Sequence, residues 1–325
     1  MNSVDKNYSV IILTHAPKDD LLVSLEKLLT QSIRPRKIIL YNTDESKFYD
    51  NLSKKDEVKR TIEDNKDIIY ITNIKEDDFD HGKARNDAMK LVDTDYALFL
   101  TDDAVPYDDK LCENLIKDFS NYDVADGKVA ATYARQIAKN GSRLSEKFVR
   151  EFNYPDYDIV KMKSKELEYG IKNYFFSNVC AMYDKKIFYE LGGFEENIIL
   201  NEDTFFSYTA ISRGYKIVYS SKSIVYHSHN YSFKQQFNRN FDIGVSQSDK
   251  KEIFDNIPSV KEGYKLTKYV ILKLLGGLHF LSIIRFMIEC LYRYMGYKKG
   301  YNYKKLSIES CILYASNKTY FRKKK

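Results

Sequence analysis

Tryptophan is absent from this 325-residue chain, proline occurs five times and cysteine four. Each scarcity closes off a class of protein. Cys112, Cys180, Cys290 and Cys311 form no CxxC and no tight spacing, so neither a disulfide framework nor a thiolate zinc centre is encoded. Neither GxGxxG nor GxxxxGK[ST] occurs, which disfavours a dinucleotide fold of the usual kind and a P-loop. The longest uncharged apolar run, residues 274–284, reaches about half of the ~20 residues that a membrane span requires. At the amino terminus, MNSVDKNYSVIIL puts an acid and a lysine before a short apolar run, which reads as a strand and not as a signal peptide. A cytoplasmic protein that does not cross the membrane is expected.

What is present is ordinary in amount and uneven in placement. An apolar fraction of 43% and a charged fraction of 30% suit a globular chain of one large domain with an appendage, or of two domains. The net charge of +6 hides an asymmetry. Residues 264–325 carry 14 Lys and Arg against Glu289 and Glu309, a local +12, leaving −6 on the residues before them. An acidic body argues against nucleic-acid binding, whereas a basic, aromatic tail suits an anionic surface.

The first half alternates strand and helix signals as parallel α/β sheets do. YSVIILT at 8–14 is a continuous apolar run, as a strand covered on both faces should be. Leu21, Leu22, Leu25, Leu28 and Leu29 follow at helical spacing behind Asp19 and Asp20. Further strands are predicted at 37–41, 67–72 and 95–101, with a helix beginning near Gly82. From about residue 250 the pattern becomes helical, dividing the chain into an α/β body, 1–250, and a basic helical region, 251–325. Ligands of open α/β sheets bind beyond the carboxyl ends of the strands. Here those positions are Thr14 and His15, Asn42 and Asp44, the loop of Asp80, His81 and Gly82, and Asp102 with Asp103.

Three constellations could carry chemistry. In LTDDAVP, two adjacent carboxylates at a strand end repel unless a cation sits beside them; a divalent ion bridging to a diphosphate would serve, and so would a helix cap. His227 and His229, in VYHSH, follow a predicted hairpin of 216–220 with 224–226; two residues apart on a continuing strand, they would face one side, toward a metal or a phosphate. Asn201, Glu202 and Asp203 look like a helix cap with acids in the first turn. A carboxylate there could also take a proton from a hydroxyl, provided burial or a like charge lifts its pKa.

Taken in order, FDHGKARN at 79–86, LTDDAVP at 100–106, EFNYP at 151–155, SNVCAMY at 177–183, LGGFEE at 191–196, NED at 201–203 and YHSHNYSFKQQFNRNFDIG at 226–244 resemble family 2 glycosyltransferases, nearest to their bacterial rhamnosyltransferase branch. The resemblance runs from about residue 8 to 245, and the tail YRYMGYKKGYNYKKL is similar to that branch too. It implies an α/β fold of GT-A type: a mostly parallel nucleotide-binding sheet with helices on both faces, followed here by amphipathic helices. It also implies a nucleotide-sugar donor, Mg2+ or Mn2+, and inversion at the anomeric carbon. By position, Asp103 matches the metal-binding acid of the family, His227 or its neighbour His229 the distant ligand, and Asp203, beside Glu202, the catalytic base. Thr14, His15, Asn42, Asp44, Gly82, Arg85 and Asp102 fall around the nucleotide and diphosphate, and Ser177 and Asn178 beside the donor sugar.

The sequence departs from the family at Thr101, in the place of the first acid of the DxD signature, at Asp102, where the branch carries glutamine, and at Asn42, where many members carry an aspartate. The donor implied is dTDP-L-rhamnose, and the acceptor a cell-surface polysaccharide or a lipid-linked saccharide. A UDP- or GDP-sugar hexosyltransferase would keep every motif. A nucleotidyltransferase would want a glycine-rich basic loop where HAPKDD stands, and a non-catalytic membrane scaffold would not need Asp103, His227 and Asp203 together. The basic helices are expected to lie on the anionic inner face of the plasma membrane. Loss of residues 298–325 is then expected to release the protein from vesicles and to spare transfer to a soluble acceptor.

Overall fold

The computed structural model describes residues 7–123, 126–254 and 260–324; residues 1–6 of the amino-terminal reading and Lys325 of the basic tail lie outside them. Strand β1 (Tyr8–Thr14) leads through α1 (Asp20–Leu29) to β2 (Lys37–Thr43), and α2 (Lys55–Asp64) leads to β3 (Ile69–Ile74). Helix α3 (His81–Lys90) precedes β4 (Tyr96–Thr101), the two-residue β5 (Val105–Pro106) and α4 (Leu111–Asn121). Then come β6 (Val129–Ile137), α5 (Leu144–Asn153), β7 (Ile159–Lys161), α6 (Glu166–Tyr169), β8 (Cys180–Asp184), α7 (Lys185–Glu190), α8 (Glu202–Ser212) and β9 (Lys216–Tyr226). Among the described residues, helices follow: α9 (Phe233–Asp249), α10 (Lys251–Phe254), α11 (Val260–Gly276), α12 (Phe280–Tyr301), α13 (Ile308–Tyr314) and α14 (Lys318–Arg322).

The strands form one sheet in the order β3-β2-β1-β4-β8-β6-β9-β5, with β7 added on β9. The first four strands are mutually parallel, while β8 runs antiparallel to β4 and to β6. Strand alternation sorts the core into two layers. Tyr8, Val10 and Ile12 of β1 pack with Leu98 and Leu100 of β4 against the leucines of α1 and α4. Ile11, Ile39 and Phe99 point the other way, into a cluster with Ala84 and Ala88 of α3 and Phe206 and Ile211 of α8. Both faces of the sheet are therefore covered, and the strands read as continuous apolar runs.

The hairpin expected over 216–226 is instead one long strand with a bulge. Its register on β6 jumps from Ser220 beside Ala134 to Ile224 beside Arg135. The polar insert satisfies itself where it stands: Ser221 donates from its backbone N and its Oγ to Asp158 at 2.8 and 2.7 Å, and the Ser220 and Ser223 hydroxyls lie 2.8 Å apart. Three serines that signal a turn in sequence are thus held inside a strand.

The carboxyl-terminal helices pack on the α/β body. Helix α12 crosses α9 where glycines leave no side chain between them: a Cβ on Gly300 would lie 1.9 Å from the Phe241 carbonyl oxygen, and one on Gly296 2.2 Å from that of Phe237. The chain then turns back, burying Cys311, Ala315, Tyr320 and Phe321 against Ile199, Phe241 and Val245. Helices α11 and α12, with the turn between them, leave a broad apolar face open, with Leu281 84%, Leu278 73% and Ile284 58% exposed. No helix of the described residues is long and apolar enough to cross a membrane.

Candidate active site

A cavity of about 750 Å³ opens beyond the carboxyl ends of the parallel strands, and His15, His81, Arg85, Asp102, Asp103, Ser177, Asn178, Glu202, Asp203, His227 and His229 line it. Strand β4 ends there, and the turn after it sets Asp102 and Asp103 side by side. Burial and the neighbouring Asp103 charge push the Asp102 carboxyl up to about 7. Burial would raise Asp103 too, but His227, which donates to it when protonated, and the neighbouring His229 hold it well below the usual carboxylate range.

Although β9 ends at Tyr226, both histidines turn to Asp103. His227 Nε2 lies 3.5 Å from one carboxylate oxygen and His229 Nε2 3.4 Å from the other. One ligand atom from each of the three residues falls within 4.8 Å of the other two, a set able to hold a divalent ion. The other nitrogen of His227, Nδ1, donates to Gln136 Oε1 at 2.9 Å, an oxygen that also accepts from Arg150. That bond leaves the Nε2 lone pair free toward Asp103. Burial lowers the pKa of both imidazoles, that of His229 to about 4, so both rings are neutral near pH 7, the form that binds a metal. The chemistry of the donor set therefore fits Mg2+ or, with its two imidazoles, better Mn2+.

A second carboxylate pair lies at the start of α8. Asn201, expected as its cap, adopts a left-handed conformation (φ 74°) and makes no capping bond; its side chain donates to Ser246 Oγ at 3.0 Å instead. Glu202 is buried, which disfavours its charge, but Arg85 3.2 Å away outweighs this and the carboxylate stays ionised. Burial and the Glu202 charge push Asp203 up to about 7, against the pull of backbone N–H bonds from Asn178 at 3.1 Å and Thr204 at 2.7 Å. Asp203 keeps part of its surface open to the cavity. It is a carboxylate poised to exchange a proton near neutrality.

Other expected site residues are placed differently. Thr14 and Asn42 are closed off from the cavity: Thr14 Oγ1 donates to Asn42 Oδ1 at 3.0 Å and Asn42 Nδ2 to Asn73 Oδ1 at 2.9 Å, tying the ends of β1, β2 and β3 together. Thr43, the next residue, lines the cavity. Asp44 (φ 65°) accepts from Ser46 and pairs with Lys47 in a neighbouring shallow depression. Gly82 serves close packing, since a Cβ there would stand 1.9 Å from the Glu195 carbonyl oxygen. Four residues on, Asn86 clamps the same loop, donating to Phe194 O and accepting from Phe194 N, each at 2.9 Å. FDHGKARN and LGGFEE are thus two halves of one contact.

Gln136 and Arg150 carry no motif of their own, and nothing local in the sequence points to them. The larger surprise is the tail. Ser316, Asn317, Lys318, Thr319 and Arg322 line the cavity, and the Asp242 carboxylate on α9 accepts from the backbone N of Ser316 and of Asn317 at 3.0 and 2.9 Å. The basic region therefore does not face a membrane throughout. Its last turn is a wall of the cleft, and removing residues 298–325 would open the site it was expected to spare.

Comparison with known proteins agrees with this architecture. Residues 9–192 match the model of glycosyl transferase family 2. The chain is 34% identical over 299 residues to the O-antigen chain rhamnosyltransferase RfbN of Salmonella typhimurium, covering 91% of this chain and 90% of that protein. It is 33% identical over 246 residues to the O-antigen chain rhamnosyltransferase WbaN of Salmonella anatum, covering 75% and 76%. Among solved structures, the mannosyltransferase PcManGT from Pyrobaculum calidifontis, in complex with GDP-Man and Mn2+, superposes with a TM-score of 0.58 at 13% identity, over 92% of this chain and 88% of that one. Staphylococcus aureus TarS 1-349 in complex with UDP-GlcNAc gives 0.50 at 14%, over 81% and 71%. At such identities the two structures speak for the shared GT-A fold alone.

Proposed function

The chain belongs to glycosyl transferase family 2, and from that premise we propose that it is a metal-dependent, inverting rhamnosyltransferase. It takes L-rhamnose from dTDP-L-rhamnose and adds it to a cell-surface polysaccharide or a lipid-linked saccharide; two relatives named as O-antigen chain rhamnosyltransferases support the sugar and the setting. The observation that carries the reading is that one cavity holds both a carboxylate raised to about 7, Asp203, and the Asp103, His227 and His229 cluster.

Asp203 receives the proton of the acceptor hydroxyl as its oxygen attacks the anomeric carbon, help worth roughly 100- to 10,000-fold in rate. The Asn178 N–H fixes the carboxylate, and the ionised Glu202, held by Arg85, keeps it basic enough. Asp103, His227 and His229 would hold Mg2+ or Mn2+, whose charge, when bound, offsets that of the leaving diphosphate. Arg85 Nε is buried without a partner, and we assign it to a donor oxygen. Ser177 and Asn178 border the sugar, His15 and Asp102 the diphosphate, and Thr14, Asn42 and Gly82 act by shaping the strand and helix ends. The exposed apolar face of α11 and α12 lies on the anionic inner face of the plasma membrane, with Lys298 and Lys299 at its end.

A panel of dTDP-, UDP- and GDP-sugars with a rhamnose-accepting oligosaccharide tests this. Chelator-sensitive consumption of dTDP-L-rhamnose is expected. Preferential use of a UDP- or GDP-sugar would overturn the donor assignment, and full activity in chelator the metal.

A further inference from the structure

Several charged side chains of the carboxyl-terminal segment are engaged: Lys304 pairs with Asp249 at 3.2 Å, Lys323 donates to the Phe79 carbonyl at 2.9 Å and Lys324 donates to the Tyr320 hydroxyl. Arg239 of α9 and Lys318 and Arg322 of α14 differ. All three line the cavity. Among the described residues none of them forms an ion pair or a side-chain hydrogen bond, and Arg239 only rests over the Tyr231 ring at 6.0 Å. The carboxylates that line the same cleft, Asp102, Asp103, Glu202, Asp203 and Asp242 among them, form no ion pair with these three cations, which leaves their N–H groups open to an anion bound there.

The backbone that carries Lys318 and Arg322 is anchored by other residues. Asp242 holds the backbone of Ser316 and Asn317, Asn317 Nδ2 donates to the Ile199 carbonyl at 3.3 Å, and Tyr320 and Phe321 are buried in an aromatic cluster. None of these anchors uses the three cations, so the charges are held at the cavity without being spent on holding it. Arg239 lines the same cavity as His81 of α3 and His229 beyond the end of β9.

We propose that Arg239, Lys318 and Arg322 form a seat for the diphosphate of the nucleotide donor, making the carboxyl-terminal segment part of the active site. The proposal rests on the glycosyltransferase reading for the identity of that anion. As the acceptor oxygen bonds to the anomeric carbon, the bond from that carbon to the diphosphate oxygen breaks and its electron pair stays on the diphosphate. Negative charge thus grows where the seat lies, and fixed cations stabilise it more than they stabilise the intact donor.

The test is calorimetric titration of the full chain with dTDP and, separately, dTMP in Mg2+, for the parent, Arg322→Ala, Lys318→Ala and the Arg239→Ala/Arg322→Ala pair, alongside transfer assays. The three side chains are exposed, and unchanged thermal unfolding will show that the variants fold. The paired variant is expected to bind dTDP at least tenfold more weakly, with a smaller loss for dTMP and a shallower dependence on salt. Affinity for dTDP within twofold of the parent overturns the proposal. So does a change confined to the KM of a diphosphate-linked lipid acceptor, which would give the seat to the other substrate. A shift of the pH profile alone would also refute it, since the cations would then serve only to balance the acids of the cleft. If the parent binds dTDP and transfers no sugar, the enzyme reading fails and the seat stands; if it transfers sugar and the variants bind dTDP normally, the seat alone fails.

Discussion

Replacing Asp203 by Asn tests the base directly, because the structure foretells its effect on the rate and on how stability varies with pH. The amide keeps the shape but has one acceptor oxygen where the carboxylate accepts from Asn178 on one oxygen and from Thr204 on the other, and it cannot take up a proton. A loss of about 100- to 10,000-fold in kcat is expected, with donor binding nearly unchanged. In the parent, a base whose pKa is about 7 is about 1% ionised at pH 5, so the rate should rise about 100-fold between pH 5 and pH 8. The same carboxyl titrates near 3.8 in the unfolded chain. Between those values the folded state binds more protons than the unfolded one, so stability falls as pH rises from about 4 through about 7 and stays lower above. The uncharged amide does not titrate, so the stability of Asp203→Asn is expected to lack this fall between about pH 4 and about pH 7, whatever the loss of one hydrogen bond costs at every pH. A structural acid at a helix start would behave the other way: its loss would lower stability slightly and leave the rate alone. Turnover within tenfold of the parent, or an acidic limb that stays near pH 4, would refute the assignment.

Asp103→Ala and His227→Ala should each abolish metal-dependent binding of dTDP, read by calorimetry with and without chelator. Gln136→Leu, which frees the His227 ring from its partner, should weaken metal affinity by about 10- to 100-fold. Gly300→Ala drives a methyl toward the Phe241 carbonyl and should cost about 1–3 kcal/mol, a fall of several degrees in unfolding temperature. Leu281→Glu with Ile284→Glu, both on the exposed face of α12, should lower affinity for anionic vesicles at least tenfold in sedimentation, with transfer to a soluble oligosaccharide unchanged; vesicle binding equal to that of the parent would exclude this face.

The parallel half of the sheet was legible because each of its strands is an apolar run closed by polar residues, a local pattern. The Asp103 and His227 pairing was legible only through the resemblance, since 124 residues separate the partners. Where local signals misled, a side chain had found a distant partner. Ser221 reads as a turn but is held by Asp158, and Asn201 reads as a cap but is turned to Ser246. The tail misled for another reason. Its charge is visible in sequence, whereas its return to the cleft depends on Ala315, Tyr320 and Phe321 meeting Phe241, a contact that no spacing announces.

The glycine crossing of α9 on α12 has a mechanical side. With Phe237, Phe241 and Tyr297 backbone atoms closer than a methyl would allow, neither helix can slide along the other without breaking the fit at Gly244, Gly296 and Gly300. Helix α12 bears the open apolar face and α9 bears Arg239 and Asp242, which line the cleft, so the outer surface and the wall of the cleft are joined by a contact that has no side chain to give way.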